Sequence, residues 1–407
     1  MKYKTYKIKD LINEISMGPF GSNIKVECFV DSGIPVLNGS NLTGFALNDN
    51  SFRYVTPEKA DSLGKANAYR GDIVITHRGT LGQIVFIPEN SKHSRYVISQ
   101  SQFRVKCNEK ILPEYLVYYF HTNAGQHKLL SNASQVGVPA LARASTTFQT
   151  LEIDIPDVTE QRKIVDLLET IREKIELNNA INNNLEQQAQ AIFKSWFVDF
   201  EPYNGVMPSD WHIGTIDDLA KEVVCGKTPS TKNAEYYGSD VPFITIPDMH
   251  AKIYVVTTER YLSSLGANSQ AKKTLPKNSV CVSCIGTAGL VTLVAKESQT
   301  NQQINSIIPK EGFSPYFIYL LMQTLSDTIN KLGQSGSTIV NLNKSQFGKI
   351  QVIIPSLSAM TNFDKVISPI FEKILQNQRE DINLESLRDT LLPKLMSGKL
   401  DVSDIKL

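Results

Sequence analysis

The feature that most constrains this chain is that it repeats itself once. A shift of 207 residues lays NSVCVSCIGTAG, 278–289, beneath GDIVITHRGTLG, 71–82, and superimposes a Gly-Thr-x-Gly pattern. The same shift places Pro35 of SGIPVL on Pro242 of SDVPFI. A shift of 201 lays EYLVYYF, 114–120, on PYFIYLL, 315–321, and one of 199 lays FQTLEIDIP, 148–156, on FGKIQVIIP, 347–355. The drift needs only small loop insertions, which loops absorb cheaply. The period is too long for a solenoid. With 407 residues the chain has room for two or three domains, and the repeat divides it into two similar halves.

Each half opens with short β-branched runs such as IVIT, QIVFI, VCVS and LVTLV, separated by Gly, Pro, Asn and Ser, which read as strands and turns. After Pro156 and again after Pro355 the pattern changes to a long stretch without interior Gly. Thr159 followed by Glu and Gln reads as a helix start, and Pro369 marks a kink or a late start in the second stretch. Alternating steps of four and three visit Ile164, Leu168, Ile171, Ile175, Asn178, Asn182, Leu185, Ala189, Ile192 and Trp196. Shifted by 199, they visit Phe363, Ile367, Ile370, Ile374, Asn377, Asp381, Leu384, Arg388, Leu391 and Leu395. Both stripes are heptad-like and polar at the centre. Two such stripes most economically bury each other as an antiparallel pair, and polar central positions penalise slipped registers. Two unrelated amphipathic helices, each packed on its own domain, are the plainer alternative, and the repeat weighs against it. The expected fold is therefore mixed α/β: two similar globular domains separated by two long antiparallel coiled-coil helices, with a pseudo-twofold internal repeat. About 35 helical residues span roughly 50 Å.

Composition narrows the function. Lys and Arg number 42 against 41 Asp and Glu, a formal charge of +1, so binding to nucleic acid through a polycationic tail is excluded and any such contact is local. No apolar run approaches the roughly 20 residues of a membrane span. The N-terminal MKYKTYKIKDLINEI has no apolar signal core, so cytoplasmic residence is expected, with no membrane partner. Five scattered Cys do not form a disulfide framework.

A spacer with two similar but unequal heads has the geometry of a reader of a two-part site, since twofold protein symmetry is commonly matched to separated half-sites. Three stretches make the reading specific: TEQRKIVDLLETI at the first helix, IFKSWFVDFEP at 192–202 followed by MPSDWHIGTIDDL, and LESLRDTLLPKLMSGKL at 384–400. They resemble the conserved regions of the DNA specificity subunit of type I restriction-modification systems, and the resemblance runs essentially end to end. It implies a non-catalytic subunit with target recognition domains at 1–157 and 200–356, conserved spacer helices at 158–199 and 357–407, and a C-terminal tail within the latter. Each recognition domain is then expected to read one half of an asymmetric, interrupted double-stranded DNA site. The helices set the gap and dock two methyltransferase (modification) subunits. No cofactor is implied on this chain. S-adenosylmethionine is implied on the adenine-modifying partner, and ATP and Mg on a further motor and nuclease subunit. One departure is that Glu160-Gln161 of the first helix start becomes Ala359-Met360 in the second.

DNA-contacting residues are sought among polar and basic loop positions, which reach phosphates or base edges. In the first half the candidates are Ser22, Asn23, Asn38, Ser40, Asn41, Arg78, Thr80, Lys92, Arg95, Gln100 and Gln102. In the second half they are Lys227, Thr228, His250, Lys252, Asn301, Gln302, Gln303 and Asn305. Arg78 stands out, because DIVIT ends there and Gly79 permits a tight turn that presents it outward, although an internally paired Arg fits equally well. Its counterpart is Ile285, so the turn is shared and the reading residue is not. Ile164, Leu168, Ile171, Phe193, Trp196, Phe197, Ile367, Ile374, Leu391 and Leu395 can serve either the helix seam or a partner interface.

Catalytic signals fail one by one. Cys225-Gly226-Lys227-Thr228 lacks the first Gly of a phosphate-binding loop, Lys221 standing there instead. Cys281 and Cys284 lie in an apolar run with no second pair, which fits buried thiols better than zinc. Asp157, Glu160 and their neighbours sit at a helix start, where capping explains carboxylates. Two rival classes remain: a degenerate stand-alone nuclease or methyltransferase, and a protein-binding scaffold.

Overall fold

A computed structural model describes residues 2–134, 137–334 and 341–402. Residues 403–407 of the expected C-terminal tail lie outside the described residues. The chain divides into two compact units, one formed by 1–173 with 384–407 and the other by 174–383.

In the first unit a four-stranded antiparallel sheet runs in the order Ile12–Met17, Gln102–Cys107, Ile73–Thr76, Ile84–Phe86. The strands Ile73–Thr76 and Ile84–Phe86 are buried on both faces. Ile73, Ile75, Ile84 and Phe86 pack into a core with Tyr115, Phe120 and Phe148, whereas Val74 and Val85 enter a second core with Leu37, Tyr96 and Ile98. A period of two thus divides one apolar run between two cores. A five-stranded sheet follows the order Phe29–Val30, Arg53–Val55, Ile34–Val36, Arg95–Val97, Asn67–Tyr69. Lys4–Lys7 pairs with Glu152–Ile155 as a separate ribbon.

The second unit repeats this plan. Its main sheet has the order Ala220–Cys225, Ile304–Pro309, Val280–Ser283, Val291–Val294, Tyr254–Val255. Again Val280 and Val282 face one core and Cys281 another. The smaller sheet keeps one antiparallel and one parallel neighbour around its central strand, Tyr237–Ile244, as Ile34–Val36 does in the first unit. Even the register is retained, since Pro35 opposes Tyr54 and Pro242 opposes Tyr261. His212–Thr215 with Gln351–Ile354 repeats the ribbon.

The two long helices are Val158–Phe197 and Leu357–Met396, 40 residues each. Pro369 neither delays nor breaks the second helix. The first begins one residue before Thr159 and is capped by Asp157, whose Oδ1 accepts from the Glu160 N–H at 3.0 Å. Ser356 stands in the same place before the second helix, with its Oγ 3.5 Å from the Ala359 N–H. Gln161 is fully buried; its Oε1 accepts from the Leu112 N–H and its Nε2 donates to the carbonyls of Lys110 and Pro156. Met360, its counterpart, is buried in an apolar core. The departure at the two helix starts therefore exchanges a loop-binding amide for packing and leaves the cap in place.

Within the second unit the helices lie side by side and antiparallel. The Asn178 amide donates to Asp381 at 2.7 Å, Asn377 donates to Asn182 at 2.9 Å, and the Trp196 and Phe363 rings sit 5.8 Å apart. Phe193, Phe197, Ile367 and Ile374 are buried in that unit's core, with Trp196 packed against it. Within the first unit, Ile164, Leu168 and Leu395 are buried in one core with Leu391 packed against it, and Ile171 is buried too.

Candidate nucleic-acid interface

At one end of the four-stranded sheet five loops of the first unit converge. The Gly18 N–H donates to the Gln102 carbonyl at 2.8 Å and the His77 N–H to the Ser101 carbonyl at 2.9 Å, which ties 18–23 and 77–82 to 99–102. A Cβ at Gly18 would overlap the Ser99 carbonyl oxygen, so only glycine allows that approach. The Gly79 N–H donates to Pro139 and the Leu141 N–H to His77, both at 2.9 Å, and Arg78 forms a bridge with Ala140. Gln83 Nε2 donates to the Gly39 carbonyl at 2.9 Å and brings in the 38–41 turn. The half-buried His77 ring donates from Nε2 to the Gln100 carbonyl at 3.1 Å, and burial holds its pKa below the ordinary imidazole value. It is a strut under the turn.

This convergence gathers several sequence candidates. Asn23, Asn38, Ser40, Arg78, Thr80 and Gln100 are all exposed there. Ser22 falls on the turn Gly21–Asn23, and its side chain lies outside the described residues. Arg78 has no side-chain hydrogen bond or ion pair among the described residues. Arg143, which the sequence reading missed, is exposed beside the Arg78 bridge with φ of 47°. No local signal could have found it, because only the pairing of 78 with 140 brings the two arginines near each other.

Other candidates are placed elsewhere. Asn41 is fully buried: its Oδ1 accepts from the Asn38 N–H, and its Nδ2 donates to the Asn48 and Asn50 carbonyls. Gln102 is buried with its Oε1 on the Ser99 N–H. Arg95 is held by Asp61 at 2.7 Å and Asn67 at 2.8 Å, and Lys92 folds back on Asp49 and Asn50.

The second unit builds the same convergence. The Gly226 N–H donates to Ile304, Lys227 to Thr300, Cys284 to Gln303 and Leu342 to Cys284, all between 2.8 and 3.1 Å. Ile285 bridges Asn341 as Arg78 bridges Ala140. Lys227 and Gln302 are exposed, and the Thr228 hydroxyl donates to Gln302 Oε1 at 2.6 Å. Asn301 is buried and paired with Gln303, and Asn305 is buried with its amide on the Leu342 carbonyl. His250 is exposed on a separate segment. Lys252, also exposed, lines a cleft of about 490 Å³ with Asn179, Asn182 and Glu186. Asn41, Gln102, Asn301 and Asn305 thus serve the loops' own backbone and are corrected from candidate readers to scaffold. Cys281 and Cys284 are buried, and burial pushes both thiols up to about 12. Among the described residues no cluster of His, Cys, Asp or Glu is placed to hold a metal. No helix there is long and apolar enough to cross a membrane.

The family model for the type I restriction modification DNA specificity domain matches this chain twice, at residues 2–187 and 208–385. The chain belongs to that specificity family. Its two matches coincide with the two copies of the fold described above. Among curated relatives, the type I restriction enzyme HindI specificity subunit of Haemophilus influenzae is 34% identical, over 88% of this chain and 93% of that one. The MjaIX specificity subunit of Methanocaldococcus jannaschii is 25% identical, over 98% and 94%. The crystal structure of a type I S subunit from M. genitalium shares the fold, with a TM-score of 0.62 at 15% identity, covering 97% of this chain and 96% of that one. The specificity subunit described here is thus matched along nearly its whole length.

Proposed function

We propose that the loop end of each unit reads one half of an asymmetric, interrupted double-stranded DNA site. The observation that carries this reading is the pair of convergences. Both copies hold their loops with equivalent backbone hydrogen bonds, yet the turn they share carries a different side chain in each: Arg78 against Ile285. A constant frame with variable side chains is what two different half-sites require. The paired helices set the gap and offer the surface for two modification subunits. S-adenosylmethionine belongs to those adenine-modifying partners, and ATP and Mg to a motor and nuclease subunit. This chain supplies specificity and no chemistry, and it acts in the cytoplasm. Asp157, the best carboxylate for a stand-alone nuclease, is occupied in capping a helix.

The test is a single-molecule sequencing map of methylated adenines in the source cell, with the gene present and deleted. Loss of one interrupted, asymmetric motif on deletion is the expected result and supplies both half-sites. An unchanged map with the protein expressed would overturn the reading and favour a scaffold.

A further inference from the structure

Besides the exposed pair Gln100 and Gln302, the two convergences share an exposed turn residue that packing does not explain. In both copies the turn after the central strand reads Gly-Thr-x-Gly, with φ of 91° and 87° at Gly79 and Gly82, and of 76° and 89° at Gly286 and Gly289. Thr80 and Thr287 are exposed at its tip. Among the described residues neither hydroxyl has a hydrogen-bond partner, and neither Thr N–H joins a backbone hydrogen bond. The second glycine of each turn has a packing reason, since a Cβ on Gly82 would strike the Gln126 side chain and one on Gly289 would strike Ser326. A Cβ on Gly79 would meet nothing within 4 Å, so its requirement is conformational. The Thr has neither reason. Its neighbours have diverged around it: Arg78 became Ile285, Leu81 became Ala288 and His77 became Cys284.

A residue kept by two copies whose flanking side chains differ should meet what two different half-sites have in common. We propose that Thr80 and Thr287, each with its own N–H, form matched phosphodiester-binding sites that anchor the two units to the DNA backbone in equivalent positions. This rests on the reading above and deepens it. The hydroxyl and the adjacent N–H each donate to a phosphate oxygen, as short turns with an αL glycine do for anions. Two identical protein partners would need a broader shared surface than this, and the flanking residues do not provide one. The anchor fixes where the adjoining residue falls: in one half-site Arg78 is placed over base edges, in the other Ile285.

The chain is purified with its modification subunits, and its affinity is measured on a duplex carrying the mapped motif and on a scrambled duplex of equal length. T80V and T287V should each weaken binding to both duplexes by the same factor, a few-fold to about tenfold. The mapped motif should stay unchanged, and T80S and T287S should restore affinity. A single uncharged methylphosphonate in each half-site should weaken the wild type more than the matching valine variant, which keeps only the N–H. Unchanged affinity, or a changed ratio between the two duplexes, would overturn the inference, the latter in favour of a base contact. Loss of modification subunits on gel filtration would overturn it in favour of a protein contact. If the wild-type complex fails to distinguish the two duplexes, the specificity reading itself falls and takes this inference with it.

Discussion

Arg104 shows how far the two copies diverge beneath the same backbone. It is 5% exposed in the first unit; its guanidinium meets Glu14 at 2.9 Å and Asp72 at 3.3 Å, and its Nε donates to the Lys65 carbonyl. Burial raises the Asp72 carboxyl above the usual carboxylate range, against the pull of the Tyr69 N–H and of Arg104. The equivalent sites in the second unit are Ser279 and Ser306, both fully buried, with the Ser306 hydroxyl against Cys281. Breaking a buried pair on one side costs about 3–5 kcal/mol, whereas replacing both partners costs far less. R104M should therefore destabilise the chain strongly in urea melts, and D72S/R104S, which copies the second unit, should recover most of the loss. Equal losses in the two variants would show that the ion pair is not what sets the cost. At this scale the sequence is least legible. Residue type alone does not reveal that Asn41 or Asn305 is already claimed by loop carbonyls. For Asn41 a signal existed: the 38–41 turn reappears as Thr245 and Asp248, where buried Asp248 accepts from the Thr245 N–H at 2.8 Å.

Elements were more legible, because periodicity reports which face is buried. The four-three stepping placed Asn178, Asn182 and Trp196 on one stripe and Phe363, Asn377 and Asp381 on the other, and the structure pairs Asn178 with Asp381, Asn182 with Asn377 and Trp196 with Phe363 in the second unit. Helix starts were less so, since a cap depends on reach: Asp157 attains the Glu160 N–H, and the helix begins before Thr159. Pro369 has a known intrinsic penalty, yet the surrounding buried residues, Ile367 and Phe371, hold it in the helix. The polar seam carries its own prediction. Asp381 is buried, and desolvation raises its carboxyl above the usual range despite the Asn178 amide. A carboxyl with a raised folded pKa favours the fold at pH values below its unfolded pKa of about 3.9, and loses that contribution as pH rises through the folded value. Near neutrality the charge is therefore a cost. The repeat position in the first helix is Asn182, and D381N keeps an oxygen for Asn178 while removing the charge. Its melting temperature should exceed wild type by about 2 °C at pH 7, with the difference vanishing at acid pH. A lower melting temperature at pH 7 would show that the charge stabilises the seam.

At the scale of the whole molecule, neither recognition domain is closed upon itself. The first unit's core joins Tyr115, Phe120 and Phe148 from 1–157 to Ile164 and Leu168 of one long helix and Leu392 and Leu395 of the other. Polar contacts follow the same division: Tyr118 donates to Glu169 at 2.7 Å, Tyr3 donates to the Leu395 carbonyl at 2.8 Å, and Arg388 lies 5.1 Å above the Phe45 ring. None of these residues stands among the loops that converge around Arg78 and Thr80. The residues that hold the unit together thus lie apart from the loops proposed to read DNA, which makes domain exchange a sharp test. Replacing 1–157 with the equivalent segment of another specificity subunit, and mapping adenine methylation in cells carrying the chimera, should change one half of the motif. The other half and the gap between them should stay as they were. A donor that lacks partners for Gln161, Glu169 and Arg388 should give a less stable chimera with the same new motif. Restoring those partners in the donor segment should then raise its melting temperature without altering the sequence it reads. If both halves changed together, or if the gap shifted with the exchanged segment, the two units would not read independently.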